Sequence, residues 1–521
     1  MITTNSFKLV GIEPVRTIIE TECSRGIGIH LVGLADQNVK ESLLRTVTAM
    51  QALDYHIPGN SITINIAPAD LHKSGTGFDL PIALTIIAES AQETLPDINK
   101  YLIAGELGLD ASVRAVTGTV QAVELAKSMG LKGCIIPRSN AREAEKIADD
   151  TMPVYAVDHL KQAIDILKGT EIKDQYNIYL NPVNDNSMPN KKLEPLNYIS
   201  GLNAAGLRAI EIAAAGGHNV IMVGDHGSGR ATLAKALREI LPPMTREETL
   251  QVMRTYSAAG KNYDTESTGR PFRAPHCSCS MVTLFGGGAG DNIRPGEITL
   301  ADNGILYIDD FVDLPKSVGE ALRAPLEDKH IVISRLKSKT VMPARLQLVL
   351  ASTPCPCGHY GSSEKTCTCT TAQRTAWLSR LSGPVIDRVD LQVFTHEHKT
   401  GVPLINVNGE ELREKVIGAR RMQAERYGTT SKTNKDMNMQ DIEQFCKLSD
   451  DVADLIEKLI DRLGLSARAY TRILKIARTI ADLEERKDIR PADVAEAASF
   501  RFLDRRNILE TEPSKTNKND A

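Results

Sequence analysis

The stretch Ile221-Met-Val-Gly-Asp-His-Gly-Ser-Gly-Arg-Ala-Thr-Leu-Ala234 sets the fold class of this 521-residue chain. It reads as a buried strand, a glycine-rich turn and a helix start, the context a phosphate-binding P-loop requires. Gly224, Gly227 and Gly229 let successive backbone N–H groups curl around an anion, and Ser228 lies within that turn. The helix dipole adds positive potential at the same point. The two residues that complete such a loop differ here: Arg230 stands at the lysine position and Ala231 at the hydroxyl position that would ligate magnesium. Thr232 is next, but one helical step turns its side chain by about 100 degrees, away from the phosphates.

Around this loop the pattern is α/β. Asn219-Val-Ile-Met-Val223 is the strand feeding the turn, and Arg208 to Ala215 reads as a helix ending at Gly216-Gly217. Gly304-Ile-Leu-Tyr-Ile-Asp-Asp-Phe311 is an apolar strand ending in two carboxylates. Downstream of a P-loop, this is the pattern in which Asp309 helps hold hydrated magnesium and Asp310 orients the attacking water. Farther on, His330 to Pro343 reads as a β-hairpin with Arg335, Lys337 and Lys339 near its tip, candidate neutralisers of DNA phosphates. A charged edge strand guarded against aggregation reads the same way.

Composition bounds the rest. The length implies two or three domains. Hydrophobic residues make up 42%, charged residues 25%, and the net charge is −4. Nucleic acid would therefore be met by a local patch rather than a global basic field. Aromatic residues at 4% leave few base-stacking platforms. No run of 18 apolar residues and no signal-peptide pattern appear, which points to the cytoplasm. The nine cysteines suit a reducing compartment. Four of them, Cys355-Pro-Cys357 and Cys367-Thr-Cys369, form two pairs separated by nine residues, with glycines between them to make the turn. Such a set suits a structural zinc better than four loop thiols without metal. Cys277 and Cys279 read as incidental.

Before the P-loop, Ser61 to Ala67 alternates as a strand, Asp79 to Ser90 and Ala122 to Met129 read as helices, and Gly133 to Pro137 as a buried strand. Asn181 to Pro195 is polar, rich in Pro and Asn, and reads as a linker. After the P-loop unit, Glu410 to Tyr427, Asp441 to Leu448, Ser449 to Leu463, Ala467 to Glu485 and Pro491 to Arg505 carry helical periodicity, and the polar end of the chain reads as disordered.

Several stretches resemble the ComM/YifB family of magnesium chelatase-like AAA+ proteins. In the first part these are Val32-Gly-Leu-Ala-Asp-Gln-Asn-Val-Lys-Glu-Ser42, Asn65-Ile-Ala-Pro-Ala-Asp-Leu71, Gly77-Phe-Asp-Leu-Pro-Ile-Ala83 and Gly105-Glu-Leu-Gly-Leu109. In the second they are Gly216-Gly-His-Asn219, Arg270-Pro-Phe-Arg-Ala-Pro-His276, Arg294-Pro-Gly-Glu-Ile-Thr-Leu300, Leu322-Arg-Ala-Pro-Leu-Glu-Asp328 and Leu381-Ser-Gly-Pro-Val-Ile-Asp-Arg-Val-Asp390.

The resemblance covers nearly the whole chain. It implies a Lon-protease-like N-terminal α/β domain over 1–175, a linker over 176–196 and a P-loop AAA+ α/β domain of the helix-2-insert type over 197–407. An α-helical lid over 408–509 and a tail over 510–521 follow. It also implies ATP and magnesium as cofactors, a homo-hexamer, and action on branched or single-stranded DNA, since the family includes a DNA branch-migration helicase of natural transformation.

Carried over residue by residue, the resemblance gives an altered site. Asp310 stands where the family has glutamate, and Thr353 where it has a sensor asparagine. Arg388 matches the arginine finger and Arg468 the lid sensor. In the Lon-like domain the serine region is Gly75-Thr-Gly-Phe-Asp79, which puts Thr76 or Gly77 at the nucleophile. Gln121 takes the lysine position, and its amide cannot accept a proton. The expectation is an inactive protease domain and a nucleotide site with weak or absent hydrolysis. The alternatives are a non-hydrolysing scaffold and a metal chelatase ATPase subunit; the Lon-like domain and the cysteine cluster count against the latter.

Overall fold

The computed structural model describes residues 1–32, 37–69, 77–181, 203–264, 269–288, 293–334, 339–362, 365–381, 385–395, 408–463 and 466–504. The stretch 182–202, Thr76, Arg335, Lys337 and the tail expected from 510 lie outside the described residues.

The N-terminal part is built on a seven-stranded mixed sheet. Its order is Gly28–Val32, Ser61–Ala67, Glu13–Ser24, Ile2–Val10, Tyr101–Ile103, Gly133–Pro137, Val154–Val157. Ile2–Val10 and Glu13–Ser24 form a long antiparallel hairpin, from Ile2 opposite Thr21 to Val10 opposite Glu13. Gly11 turns it at φ +66°, a left-handed conformation that costs glycine little. The helix Asp79–Glu89 is apolar on nearly every side and is buried from Asp79 to Ile87. The helix expected from Ala122 begins at Thr119, directly after Gly118 turns the chain at φ +86°.

The second part carries a five-stranded parallel sheet in the order Phe272–Arg273, Ile305–Ile308, Gln347–Ser352, Val220–Gly224, Leu391–Thr395. Its central strands are buried throughout, which explains their unbroken apolar sequences. Because all strands run the same way, every residue that follows a strand emerges on one edge. That edge is where open α/β sheets bind ligands.

A helical region closes the chain with Gly409–Tyr427, Met439–Phe445, Asp450–Leu463, Ala467–Leu483 and Pro491–Ser499. Its core is continuous with one face of the parallel sheet: Val416, Ile473, Ile480 and Val494 pack in one cluster with Leu207, Val220 and Leu391. The second of these helices starts before Asp441 because Asn438 is its cap. The Asn438 side chain accepts from the Asp441 N–H while the Asp441 carboxylate accepts from the Asn438 N–H, a capping box. The last helix stops at Ser499, short of Arg505. Past its end, buried Arg501 turns inward and donates to the carbonyls of Val389 and Asp390.

The two parts meet through the helices Thr119–Ser128 and Arg246–Ala258. Arg254 makes a bidentate pair with Glu124 at 2.7 and 2.8 Å. Gln121, 1% exposed, donates to the carbonyls of Ile12 at 3.0 Å and Arg254 at 2.8 Å. Gln121 is thus part of the contact between the two units.

Candidate nucleotide site and cysteine cluster

Three strand ends and one helix start build the site. Val220–Gly224 ends in the P-loop, Ile305–Ile308 in Asp309 and Asp310, and Gln347–Ser352 in Thr353. Gly224 has no room for a side chain: a Cβ there would lie 2.2 Å from both the carbonyl oxygen and the hydroxyl of Thr395. Gly227 and Gly229 take φ of +85° and +79°. Ser228 is buried, with its Oγ 2.9 Å from Thr395 Oγ1. The helix Arg230–Ile240 begins directly after Gly229.

Arg230 folds back over the loop. Its Nη1 donates to the Gly224 carbonyl at 3.3 Å, and its Nη2 lies 4.0 Å from Asp309 Oδ1. The guanidinium therefore approaches the Asp309 carboxylate. Ala231 is exposed and offers no hydroxyl, while Thr232 is half-buried. Asp310 sits in the left-handed region at φ 44°, and its N–H donates to Asp309 Oδ1. Thr353 is buried, and its carbonyl accepts from Trp377 Nε1 at 2.9 Å and from Ser352 Oγ at 3.2 Å.

Two residues beyond Thr353 the cysteine cluster begins. Cys355 Sγ lies 3.4 Å from Cys357 Sγ and 3.7 Å from Cys367 Sγ, and the latter two are 3.6 Å apart. With Cys369, all four sulfurs lie within 4.8 Å of one another. A tetrahedron with zinc–sulfur bonds of about 2.3 Å has sulfur–sulfur edges of about 3.8 Å, so the donor set fits that ion. None of the four is in a disulfide. Desolvation acts to raise the Cys357 thiol, but the N–H groups of His359 and Thr368 and the thiols of Cys355 and Cys369 hold it down at about 5. Burial pushes Cys355 up to about 12.

Comparison with known proteins fits this architecture throughout the chain. The family description "Magnesium chelatase, subunit ChlI" matches residues 196–402. "Subunit ChlI of Mg-chelatase" matches 19–140, and "Magnesium chelatase, subunit ChlI C-terminal" matches 406–501. The chain is 38% identical to competence protein ComM of Haemophilus influenzae over 502 residues, 95% of this chain and 96% of that protein. It belongs to the ComM/YifB family of magnesium chelatase ChlI-like proteins. YifB of Salmonella typhimurium is 36% identical over 504 residues, again 95% of this chain and 96% of that protein. Lon protease of Mycoplasma mobile is 22% identical over 165 residues, 30% of this chain and 18% of that protein.

In this ComM/YifB-family chain, Arg388 and Arg468 lie away from the P-loop. Arg388 precedes the strand Leu391–Thr395, so it stands at the opposite edge of the sheet, and its guanidinium pairs with Glu327. Arg468, on the lid, pairs with Asp387 at 3.2 Å, and both groups are exposed. Contact between Arg388 and a nucleotide would have to come from a neighbouring copy. In the hairpin, Ser334 pairs with Lys339 and His330 with Pro343. Lys339 is exposed. The hairpin packs on the N-terminal part near its turn end, where a Cβ at Gly11 would meet Thr340 Cγ2 at 2.1 Å. Among the described residues, no helix is long and apolar enough to cross a membrane.

Sequence reasoning missed three groups here. His226, in the P-loop, packs against Gly358 of the cysteine loop, and its ring lies 6.2 Å from that of His359. Trp377 holds the Thr353 carbonyl. Asp390, within a recognised family stretch, is the centre of a buried charge network. His226 and Asp390 lay in stretches already singled out, though neither was given a role; Trp377 did not.

Proposed function

We propose that this chain is a nucleotide-binding AAA protein that acts on DNA in a ring of like subunits, with ATP hydrolysis reduced or lost. The observation that carries this reading is the placement of Arg230 over the P-loop and toward Asp309. The glycine cradle needs only backbone N–H groups to hold phosphates, and these are kept. Arg230 supplies positive charge to that cradle as a planar fork rather than a compact ammonium. Bound magnesium would supply charge stabilisation between the phosphates. Here Asp309 would offer it a carboxylate beside the P-loop, with no hydroxyl at Ala231 to complete the set. Asp310 carries its carboxylate one methylene closer to the backbone than glutamate would.

Action on DNA rests on kinship with a competence protein and on the hairpin, with Lys339 as its described basic residue. The finer assignments go with this reading: a helix-2-insert hairpin facing a ring channel, and a Lon-like N-terminal domain that serves as scaffold. Gln121, sealed between the two parts, has the position but neither the chemistry nor the access of a base.

The test is nucleotide binding and turnover by the purified chain, with and without branched DNA. A fluorescent ADP analogue is expected to bind, with phosphate release at or near background. Because Arg230 stands in for part of the cation's role, EDTA is expected to change the dissociation constant by less than about threefold. In Arg230→Lys/Ala231→Thr, EDTA is expected to weaken binding by about tenfold, or about 1.4 kcal/mol. Strong magnesium dependence in the unaltered chain would defeat this account of Arg230.

DNA is tested by gel shift with a branched duplex over a salt series. Each phosphate neutralised contributes about −0.9 to the slope of log K against log salt. Lys339→Ala is expected to make that slope shallower by about one for each hairpin engaged. No shift at low salt, with or without nucleotide, would count against DNA as the partner.

A further inference from the structure

We propose that a metal ion held by Cys355, Cys357, Cys367 and Cys369 sets the affinity of the nucleotide site, with Thr353, His226 and Trp377 as the positioning residues that connect them. The inference rests on the nucleotide reading above and adds a regulator to it.

Three contacts join the cluster to the site. The first is covalent: only Pro354 separates Thr353 from Cys355, and both flanking residues are buried at the end of a central strand. The second runs through Trp377. It lies on the helix Thr371–Ser379, which begins two residues after Cys369, and its Nε1–H donates to the Thr353 carbonyl at 2.9 Å. Leu378 of that helix packs in the cluster that holds Ile308 and Leu350, so the helix is fixed to the sheet. Arg374 from the same helix lies 4.6 Å from the ring centre of Tyr360, in the loop between the cysteine pairs. The third contact is on the P-loop side. A Cβ at Gly358 would lie 2.5 Å from His226 Nε2, so the turn after Cys357 sits directly on the P-loop.

Among its described residues, the cysteine loop has no apolar core of its own. Of its described residues, Cys355 and Gly358 are buried; the others are half-buried or exposed. Its internal backbone hydrogen bonds are turns, from Gly358 N–H to the Cys355 carbonyl and from Ser362 N–H to the His359 carbonyl. A loop without an apolar core gains its fixed shape from a metal, and binding of the metal is then folding of the loop. Closing the four thiolates around an ion fixes Gly358 against His226 and the ends of the loop against Thr353 and Trp377. Metal and nucleotide thus favour the same arrangement, and such coupling is reciprocal.

Trp377 is the chain's only tryptophan, so its emission reads this link directly. The full-length protein is stripped with a chelator, checked by circular dichroism for retained fold, and reloaded with zinc or cobalt. Cobalt is expected to show thiolate charge-transfer absorption that Cys369→Ser weakens. Zinc alone is expected to shift Trp377 emission. The fluorescent ADP analogue is expected to bind the zinc form at least about fivefold more tightly than the stripped form. His226→Ala is expected to keep the cobalt spectrum while reducing that ratio.

Equal nucleotide affinity with and without zinc would overturn the proposal and leave the nucleotide reading intact. Absence of the charge-transfer band would do the same. Failure of both forms to bind nucleotide would defeat the nucleotide reading and the claim about affinity together. A zinc response of Trp377 in that case would support the metal-to-Thr353 link alone.

Discussion

Arg230→Lys, Ala231→Thr, Asp310→Glu and Thr353→Asn, introduced together, are expected to raise magnesium-dependent ATP turnover by about 100-fold or more. A misplacement of about an ångström at a reacting group, or a lost polar contact to developing charge, each costs on that order. The four positions lie on one edge of one sheet, brought there by the parallel strands and the helix Arg230–Ile240. On the proposed reading they act on the same phosphates, so their effects are not additive, and single reversions are expected to recover little. Lysine would free Asp309 from the nearby guanidinium, and threonine would place a hydroxyl at the exposed second position of the helix. Glutamate would extend the carboxylate at position 310. Phosphate release measured side by side decides the matter. Equal turnover by the unaltered and the altered chain would show an ordinary motor and sink the reduced-site reading.

Asp390→Ala is expected to destabilise the unit formed by the parallel sheet and the helical region by about 3–5 kcal/mol, the usual result of removing one partner of a buried charge network. Asp390 is 6% exposed. It accepts from the Asn219 N–H at 3.0 Å and lies 3.6 Å from both His218 Nδ1 and Arg472 Nε. Half-buried Lys435 donates to the Asn219 side chain at 2.8 Å, and His218 Nε2 lies 2.9 Å from Thr479 Oγ1 on the helix Ala467–Leu483. Desolvation acts to raise the Asp390 carboxyl, but His218, Arg472 and Lys435 hold it far below its ordinary 3.8. The sign follows: its contribution is complete above pH 3.8 and is lost as pH falls through its lowered native value. Urea melts at neutral pH are expected to show the full loss, and the gap between the two proteins should narrow only below about pH 4. An unchanged midpoint at neutral pH would mean that the network contributes nothing to docking the lid.

Asn219 gives this network a second consequence. Its side chain donates to the Arg388 carbonyl at 2.9 Å and accepts from the Leu348 N–H at 3.0 Å. One amide thus fixes the start of the P-loop strand, the start of its neighbour and the backbone of the expected arginine finger. Gly216-Gly-His-Asn219 and the stretch ending in Asp390 were legible as family signatures, but their mutual contact was not, because 171 residues separate Asn219 from Asp390.

Local chemistry made much of the rest legible. A five-residue apolar run before a glycine turn is too short for a helix and reads as a buried strand feeding a loop, and the four glycine and serine positions of the P-loop stand where that turn needs them. The hairpin His330–Ser334/Lys339–Pro343 and the five helices of the C-terminal region followed from periodicity, with errors at helix ends where a cap decides the boundary. The long hairpin Ile2–Val10/Glu13–Ser24 was not read at all. Its second strand is buried at alternate positions, Thr17, Ile19 and Thr21, and two of those three are threonines, so the apolar alternation that marks a half-buried strand is weak.

By itself the sequence determined the family, the α/β unit around the P-loop, the helical region after it and the grouping of the four cysteines. These are properties of neighbouring residues, where periodicity, glycine conformation and ligand spacing act over a few positions. Only the tertiary structure decided that Arg230 turns toward Asp309, that Gln121 is sealed between the two parts, that His226 rests on the cysteine loop and that Asp390 ties the lid to the sheet. Each of those depends on side chains from distant segments reaching the same few ångströms of space, and no local pattern in the chain encodes that distance.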